Sequence, residues 1–446
     1  MGEKHSVGYW NPRTETMPRE KLRDLQLRKL QAMVSWAYAN SKLWRRKFDE
    51  VGLEPRDIRT LDDVQLIPFL TKDEFLAAQA AAPPFGDTLT ASRDLALRYH
   101  QTSGTSGRTP LRTLDSRKDW ERQAEMWAYG LYAFGVRPTD VVYIPFGYSV
   151  FVGFWGAFYG AEKMGCLVIP GGSQTSEVRL KQVKELGATA LAITPTYAFH
   201  LASRAEEMGL DLATDTQVKF LLLTSEPGAS IPSTKRRLEE AWGAKVGDFL
   251  GMTEAGSLFA YECSEQPGGV HIIEDHYYEE VIDPKTLKPV GYGVCGERVM
   301  TSFGRGIMPV LRFRTGDLVE RVESNYCTCG RTFDLYKGGI LGRTDDMVVV
   351  RGTNVFISAV ENIVREYKEI SEFQIVLTKE GFQDEITVQI EPRPEVPDSR
   401  LAFLPYEVAK DLSEAHEGLR VNVVVAELDT LPKFEQRASR LQDLRV

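Results

Sequence analysis

Between residues 119 and 250, short apolar runs alternate with longer stretches of helical spacing. The runs are Val141-Val142-Tyr143-Ile144-Pro145, Cys166-Leu167-Val168-Ile169-Pro170, Ala190-Leu191-Ala192-Ile193 and Phe220-Leu221-Leu222-Leu223. Apolar residues in a row, without polar alternation, fit strands buried on both faces. The intervening stretches 119–134, 151–164, 177–186 and 232–243 read as helices. Strand and helix in turn predict a layered α/β domain around a largely parallel sheet. Glycine or proline after several strand ends is what ligand-binding loops require.

The flanks follow other patterns. Residues 19–50 are charged, with Leu22, Leu25, Leu27, Leu30, Met33 and Ala37 at helical spacing, which predicts one or two amphipathic helices. Residues 95–101 are strand-like and run into a Gly/Ser/Thr loop. From 256 to 340, strands and turns dominate and predict a small β subdomain. Beyond Gly342-Arg343-Thr344-Asp345-Asp346 the pattern is strand (347–350), helix (358–367), strands (371–377 and 384–391), helix (403–416) and strand (420–426). That is a compact α+β unit. The predicted organisation is an N-terminal domain over 1–342, with its β subdomain about 256–340, and a mobile C-terminal domain over 343–446 joined by a charged hinge.

Charge and cysteine usage narrow the function. A net charge of -9 argues against nucleic acid as the main partner, because neutralising phosphates needs a basic face. No apolar run is long enough to cross a bilayer, and Met1-Gly2-Glu3-Lys4-His5 has no signal-peptide core, so no membrane partner and a cytoplasmic location are expected. The five cysteines are irregularly spaced and do not form a disulfide framework. Cys263 and His271, with Cys327 and Cys329, offer three thiolates and one imidazole, the donor set of a closed tetrahedral zinc site. Such a site would be structural, and His276 competes with His271 for the fourth position.

Four segments carry the chemistry. Thr102-Ser103-Gly104-Thr105-Ser106-Gly107-Arg108 holds two glycines and four hydroxyls in seven positions, so its backbone can curl N–H groups around an anion. Its spacing is not that of the nucleotide-hydrolase phosphate loop. Leu250-Gly251-Met252-Thr253-Glu254 places a hydroxyl and a carboxylate after a glycine, suited to a phosphate and Mg²⁺, or alternatively to a helix start capped by Thr253. Arg312-Phe313-Arg314-Thr315-Gly316-Asp317 sets an aspartate after a glycine turn, where it can accept two hydroxyls. The fourth is Gly342–Asp346 with Arg351-Gly352-Thr353.

In this order and spacing, the chain resembles the adenylate-forming superfamily of acyl-CoA synthetases, peptide synthetase adenylation domains and luciferases, and most closely its phenylacetate–CoA ligase branch. Tyr9-Trp10, Leu66-Ile67-Pro68-Phe69-Leu70-Thr71-Lys72, Ile193-Thr194-Pro195-Thr196-Tyr197 and Glu274-Asp275-His276 extend the resemblance nearly end to end. The resemblance implies a two-step reaction with ATP, Mg²⁺ and coenzyme A, and often a homodimer. It implies that Thr102–Arg108 holds the β- and γ-phosphates. Ser225, Glu226 and Pro227 with Asp248, Phe249, Leu250 and Gly251 would frame the adenine. Thr253 and Glu254 would serve phosphate and Mg²⁺, Asp317 the ribose, and Arg343 the nucleotide. Asp345 would be the pivot of the C-terminal domain, and Gly352 would approach the pantetheine.

Two positions depart from the family. Leu250 stands where a tyrosine usually stacks on adenine, with Phe249 beside it. Arg437 stands where a lysine usually bridges carboxylate and α-phosphate, and Lys433 is the nearby substitute. Phe146, Tyr148, Phe151, Tyr197, Ala255 and Gly256 are the expected walls of an acid pocket, and aromatic walls with glycines suit an aryl or arylacetic acid. The Arg437 change keeps open an acceptor other than coenzyme A, such as a carrier protein or amine. A degenerate nucleotide-binding homologue is the non-catalytic alternative.

Overall fold

The computed structural model describes residues 8–102, 109–265, 268–344, 347–351, 353–380, 383–416, 418–432 and 440–445. Residues 19–50 form two helices, Arg19–Asn40 and Lys42–Val51, separated at Ser41, whose hydroxyl caps the second by accepting from Trp44 N at 3.4 Å. Strands β1 (Ala96–Gln101) and β2 (Arg112–Ser116) form an antiparallel hairpin. The apolar runs become β3 (Val141–Ile144), β4 (Leu167–Pro170), β5 (Ala190–Ile193) and β6 (Phe220–Leu223), followed by β7 (Lys245–Met252). These five pair in parallel in the order β4-β3-β5-β6-β7.

The β-rich region supplies β8 (Gly256–Tyr261), β9 (Gly269–Ile272), β10 (Tyr277–Ile282), β11 (Cys295–Ser302), β12 (Phe313–Val322) and β13 (Leu335–Arg343). β8 pairs antiparallel with β7, so these six strands continue the same sheet to eleven strands. Helices cover it. Arg117–Phe134 starts on a capping box, in which Ser116 Oγ accepts from Asp119 N and Asp119 Oδ2 accepts from Ser116 N, and stops at Gly135. Its Trp127 meets helix Val152–Met164 at Gly160, where a Cβ would stand 2.3 Å from Trp127 Cβ. Only glycine permits that crossing. A second apolar core joins β5, β6 and the helices Ser176–Glu185, Pro195–Glu207 and Pro232–Trp242.

A third core belongs to the C-terminal unit. It contains the hairpin β14 (Met347–Val350)–β15 (Thr353–Phe356), helix Ile357–Val364, the long hairpin β16 (Ile370–Glu380)–β17 (Gln383–Pro392), helix Leu404–Ala415, β18 (Asn422–Val425) and β19 (Leu441–Asp443). Its main sheet runs β18-β17-β16-β19. The pattern of apolar positions did not reveal β2, β15 or β19, which are short and half polar. The unit rests on helix Pro232–Trp242, where Ser233 Oγ donates to Asn362 O at 2.9 Å and Lys368 pairs with Glu240, and on β13, where Ser358 Oγ donates to Leu341 O at 2.9 Å. No helix among the described residues is long and apolar enough to cross a membrane.

Candidate active site and metal centre

The sheet's antiparallel half carries two clusters of different character. The first lies at the β7–β8 connection and the β12–β13 pair. Thr253 and Glu254 occupy a turn between those strands, so no helix starts there. Glu254 is 6% exposed, and its Oε1 lies 3.2 Å from Lys72 Nζ. Asp317 follows Gly316, whose φ of +76° turns the strand, and faces Arg343 across the β12–β13 register. Arg343 Nη1 donates to Asp317 Oδ1 at 3.0 Å. Burial raises the Asp317 pKa; Arg298 and Arg343 pull it back, and Glu254 pushes it further up. That last contribution puts Glu254 and Asp317 in one electrostatic neighbourhood.

Behind this face stands Arg298, a residue that sequence reasoning missed. Its guanidinium is fully buried, donates to Glu279 at 2.6 Å, lies 3.8 Å from Asp317 Oδ2 and stacks over Phe259. It fixes Asp317 from within the sheet. Arg305 was missed for the same reason: a single arginine in a strand-rich segment carries no sequence signal until the fold shows what it touches.

The loop after β6 bears Ser225, Glu226 and Pro227. Ser225 adopts φ +78° and is exposed, and Glu226 accepts from Thr196 N and Oγ1 at 3.0 and 2.9 Å. Two residues assigned to the adenine do other work. Asp248 is buried, and its two oxygens accept from Ala229 N at 2.8 Å and Ser230 N at 2.6 Å. It shapes the loop instead of offering an open ligand atom. Phe249 is 0% exposed, stacked on Trp127 at 5.8 Å and edge-on to Phe134, so it cannot replace a nucleotide-facing tyrosine. The pleat turns the neighbouring half-buried Leu250 to the opposite face, and Gly251 is exposed.

The acid-pocket residues separate into groups. Phe146, Tyr148 and Phe151 share the loop after β3, with Phe146 stacked on Phe154 and Tyr148 against Trp155 at 4.7 Å. Ala255 and Gly256 join them through Ser257, whose Oγ donates to Val152 O at 3.5 Å. Gly256 has φ +122°, and a Cβ there would meet Gln123 Nε2 at 2.6 Å, so the turn requires glycine. Tyr197 lies apart. Its ring is 2% exposed in the second core, under Arg179 and bonded to Ser176, because helical periodicity turns it inward. The structure therefore removes it from the wall.

The second cluster is closed. Cys263, His271, Cys327 and Cys329 are all buried, and their ligand atoms lie within 4.8 Å of one another. Cys263 Sγ and Cys327 Sγ are 3.6 Å apart, too far for a disulfide, and Cys329 Sγ lies 3.3 Å from His271 Nε2. His271 Nδ1 is 3.1 Å from Phe333 O, an acceptor that claims the Nδ1 proton and leaves the Nε2 lone pair facing the sulfurs. Contacts with Cys263, Cys327 and His271 lower the Cys329 thiol pKa against the opposing effect of burial. His276 is absent from the cluster. It packs edge-on to Tyr129 beside Asp275. The amino-terminal segment clasps the centre: Tyr9 OH donates to Cys329 O at 2.8 Å, and the fully buried pair Arg331–Glu15 lies at 2.7 Å.

Ser103, Gly104, Thr105, Ser106, Gly107, Arg108, Asp345, Gly352, Lys433 and Arg437 lie outside the described residues. Thr102 marks the base of the first of these segments: its N–H donates to Leu111 O at 3.0 Å, and its Oγ1 accepts from Leu111 N at 3.0 Å.

The Thr253–Glu254 turn thus joins two central strands of the large sheet, and a small α+β unit follows it in the chain. The chain belongs to the AMP-binding enzyme family, whose profile matches residues 62–309, and the AMP-binding enzyme C-terminal domain profile matches residues 352–445. Within the superfamily it lies in the phenylacetate–CoA ligase-like branch: it is 34% identical to phenylacetate-coenzyme A ligase of Thermus thermophilus over 86% of this chain and 84% of that one. It is also similar to a crystal structure of 2-hydroxyisobutyryl-CoA ligase in the postadenylation state with 2-HIB-AMP, at 31% identity and TM-score 0.93, covering 100% of this chain and 94% of the other. Against the same enzyme with 2-HIB-AMP and CoA in the thioesterification state, the TM-score is 0.74 at 32% identity, covering 98% and 92%.

Proposed function

We propose that this acid–thiol ligase uses ATP to convert an aromatic carboxylic acid to its acyl-AMP with release of pyrophosphate, and then transfers the acyl group to the thiol of coenzyme A. The observation that carries the reading is the end-to-end likeness, in sequence and structure, to ligases named for coenzyme A thioesters, one of them with an acyl-AMP in place. A carboxylate is a poor electrophile because its oxygens leave badly. Joining it to the α-phosphorus supplies AMP as a leaving group, which the thiol then displaces. The protein's task is to position the reactants and neutralise charge.

In this reading the residues 102–108 cradle the phosphates, Thr253 steadies a phosphate oxygen, and Glu254 holds Mg²⁺. Bound there, Mg²⁺ would offset negative charge on the phosphates. Glu254 suits a hard cation because its carboxylate is already poised against an exposed ammonium, Lys72, that can yield. Asp317, kept in place by Arg298 and Arg343, accepts from the ribose hydroxyls. Ser225, Glu226 and Pro227 with Leu250 and Gly251 border the adenine. Arg437, with Lys433 nearby, provides the cation between carboxylate and α-phosphate, Asp345 serves as the hinge, and Gly352 approaches the pantetheine. Phe146, Tyr148 and Phe151, with Ala255 and Gly256, wall the acid.

The higher score against the postadenylation state than against the thioesterification state supports a placement of the C-terminal unit like that of the former. The Cys263–His271–Cys327–Cys329 donor set fits Zn²⁺ in a closed, structural site. Its sulfur–sulfur and sulfur–nitrogen spacings are those of atoms sharing one tetrahedral ion.

A second reading, an aliphatic hydroxy acid in place of an aromatic one, is favoured by the likeness to 2-hydroxyisobutyryl-CoA ligase. One experiment separates the readings: pyrophosphate release and thioester formation over a panel of arylacetic, benzoic and short hydroxy acids, with and without coenzyme A. An arylacetic or benzoic acid giving the highest kcat/KM, with thioester formed, is the expected result. Preference for the hydroxy acids would overturn the aromatic assignment, and pyrophosphate without thioester would overturn the acceptor.

A further inference from the structure

Beneath the Thr253–Glu254 turn runs a buried chain of ionisable groups that the proposed chemistry does not use. Arg305 Nε and Nη2 each lie 3.0 Å from an oxygen of Asp115, a bidentate pair with side chains only 1% and 0% exposed. His100 Nδ1 lies 3.5 Å from Asp115 Oδ2, and its ring stacks on Trp120. The remaining arm of the guanidinium turns the other way: Arg305 Nη1 donates to Thr253 O at 2.5 Å and to Glu254 O at 2.9 Å. One residue thus holds two backbone carbonyls of the turn and one carboxylate of the β1–β2 hairpin.

The hairpin's identity gives this its meaning. His100 is on β1 and Asp115 on β2, the strands that enter and leave residues 102–111. Arg305 is itself fixed by its neighbours, since Gly306 N donates to Asp119 Oδ1 at 2.8 Å and Thr90 N donates to Ile307 O at 3.1 Å. The planar fork of an arginine can serve a carboxylate edge and two carbonyls at once, and a lysine ammonium cannot match that geometry.

We propose that Arg305 is a positioning residue that locks the Thr253–Glu254 turn to the β1–β2 hairpin, so that Glu254 and the Thr102 end of the hairpin keep one registry around Mg·ATP. This rests on the reading of those two segments as the ATP phosphate site. Removing the lock lets the turn shift relative to the hairpin. The first half-reaction, which needs both, suffers. The second half-reaction starts from acyl-AMP, after pyrophosphate has left, and does not.

The test uses full-length Arg305→Lys and Asp115→Asn proteins. Three quantities are measured: Mg·ATP dependence of pyrophosphate release, thioester formation from supplied acyl-AMP and coenzyme A, and melting temperature. Arg305→Lys is expected to raise the Mg·ATP half-saturation by about tenfold or more while thioester formation from acyl-AMP stays within about threefold. Asp115→Asn should shift the same parameter in the same direction. Equal losses in both half-reactions, or an unchanged Mg·ATP dependence, would overturn the proposal, because a merely structural ion pair lowers melting without splitting the steps. If the wild-type protein releases no pyrophosphate with any acid, the functional reading fails. Calorimetric Mg·ATP affinity then decides about Arg305: about tenfold weakening in Arg305→Lys supports the lock, and unchanged affinity overturns it.

Discussion

The Cys/His cluster and the proposed nucleotide face are cut from the same antiparallel half of one sheet, yet they are built on opposite principles. At Cys263, His271, Cys327 and Cys329, all four donors are buried and converge on one point. At Glu254, Asp317 and Arg343, the groups are anchored from behind by Arg305 and Arg298, and their forward sides meet partners that can leave: Lys72 is 51% exposed and Arg343 34%. That difference suits the roles proposed for them, one holding the fold and the other taking in and releasing a ligand. A closed four-donor shell has no position for a substrate, whereas partly exposed ion pairs are exchanged at little cost.

Perturbing each region should therefore give a different signature. The largest effect belongs to the closed centre: chelation, or Cys327→Ser, is expected to destabilise the protein by roughly 3–5 kcal/mol, because buried thiols are left without their shared ion. Thermal melting with zinc quantified before and after chelation checks this. Less than about half an equivalent of zinc in the purified protein would remove the metal from the comparison. Next, Glu254→Gln should lower the rate of pyrophosphate release by about 10²–10³-fold while moving stability by less than about 1 kcal/mol, as read by single-turnover assays beside melting curves. A large loss of stability there would break the contrast between the two regions.

His276, the rival for the fourth position, stays outside the centre and packs against Tyr129. Burial drives the His276 pKa down to about 3 against the pull of Asp275, with Arg122 and Lys29 adding to the depression and Tyr129 packed on the ring. The folded state keeps this imidazole neutral while the unfolded chain protonates it near 6.5, so its share of stability is present above that value and is lost as pH falls toward about 3. At pH 5 the loss is of order 2 kcal/mol. Urea unfolding at pH 7 and pH 5 should show a smaller pH-dependent loss in His276→Gln than in the wild type, and an equal loss in both would refute the assignment. Smallest of all, Lys72→Met should change stability by no more than about 1 kcal/mol, since the pair it breaks is half open to water. Denaturation midpoints at low and high salt would show it.

Much of this was legible before any coordinates. The apolar runs at 141–145, 166–170, 190–193 and 220–223 match four of the five parallel strands within a residue. β3, β5 and β6 are apolar because they are covered on both faces, whereas β4 at the end of the sheet is half open and β7, which carries Lys245, Gly247 and Asp248, has no such run. The Cys/His quartet was legible because few other roles suit that donor set. What failed concerned facing. Asp248 and Phe249 follow from the family resemblance and Tyr197 from its aromatic type, and each serves the interior. A difference of one position on a strand, or of about 100° on a helix, decides whether a side chain looks into a core or a cleft. Arg298, Arg305 and Asp115 were illegible for a related reason: their meaning lies in partners 19 to 190 residues away along the chain.

By itself, then, the sequence determined the class of fold, the family and the types of chemical group available, because periodicity, turn residues and motif order are local properties of the chain. Tertiary structure alone decided which groups meet. It placed His271 with the three cysteines and His276 against Tyr129, and it set Arg305 between a hairpin and a distant turn. Ion pairs and metal shells depend on distances of a few ångströms between segments far apart in the chain, and those distances exist only once the sheet has brought the segments together.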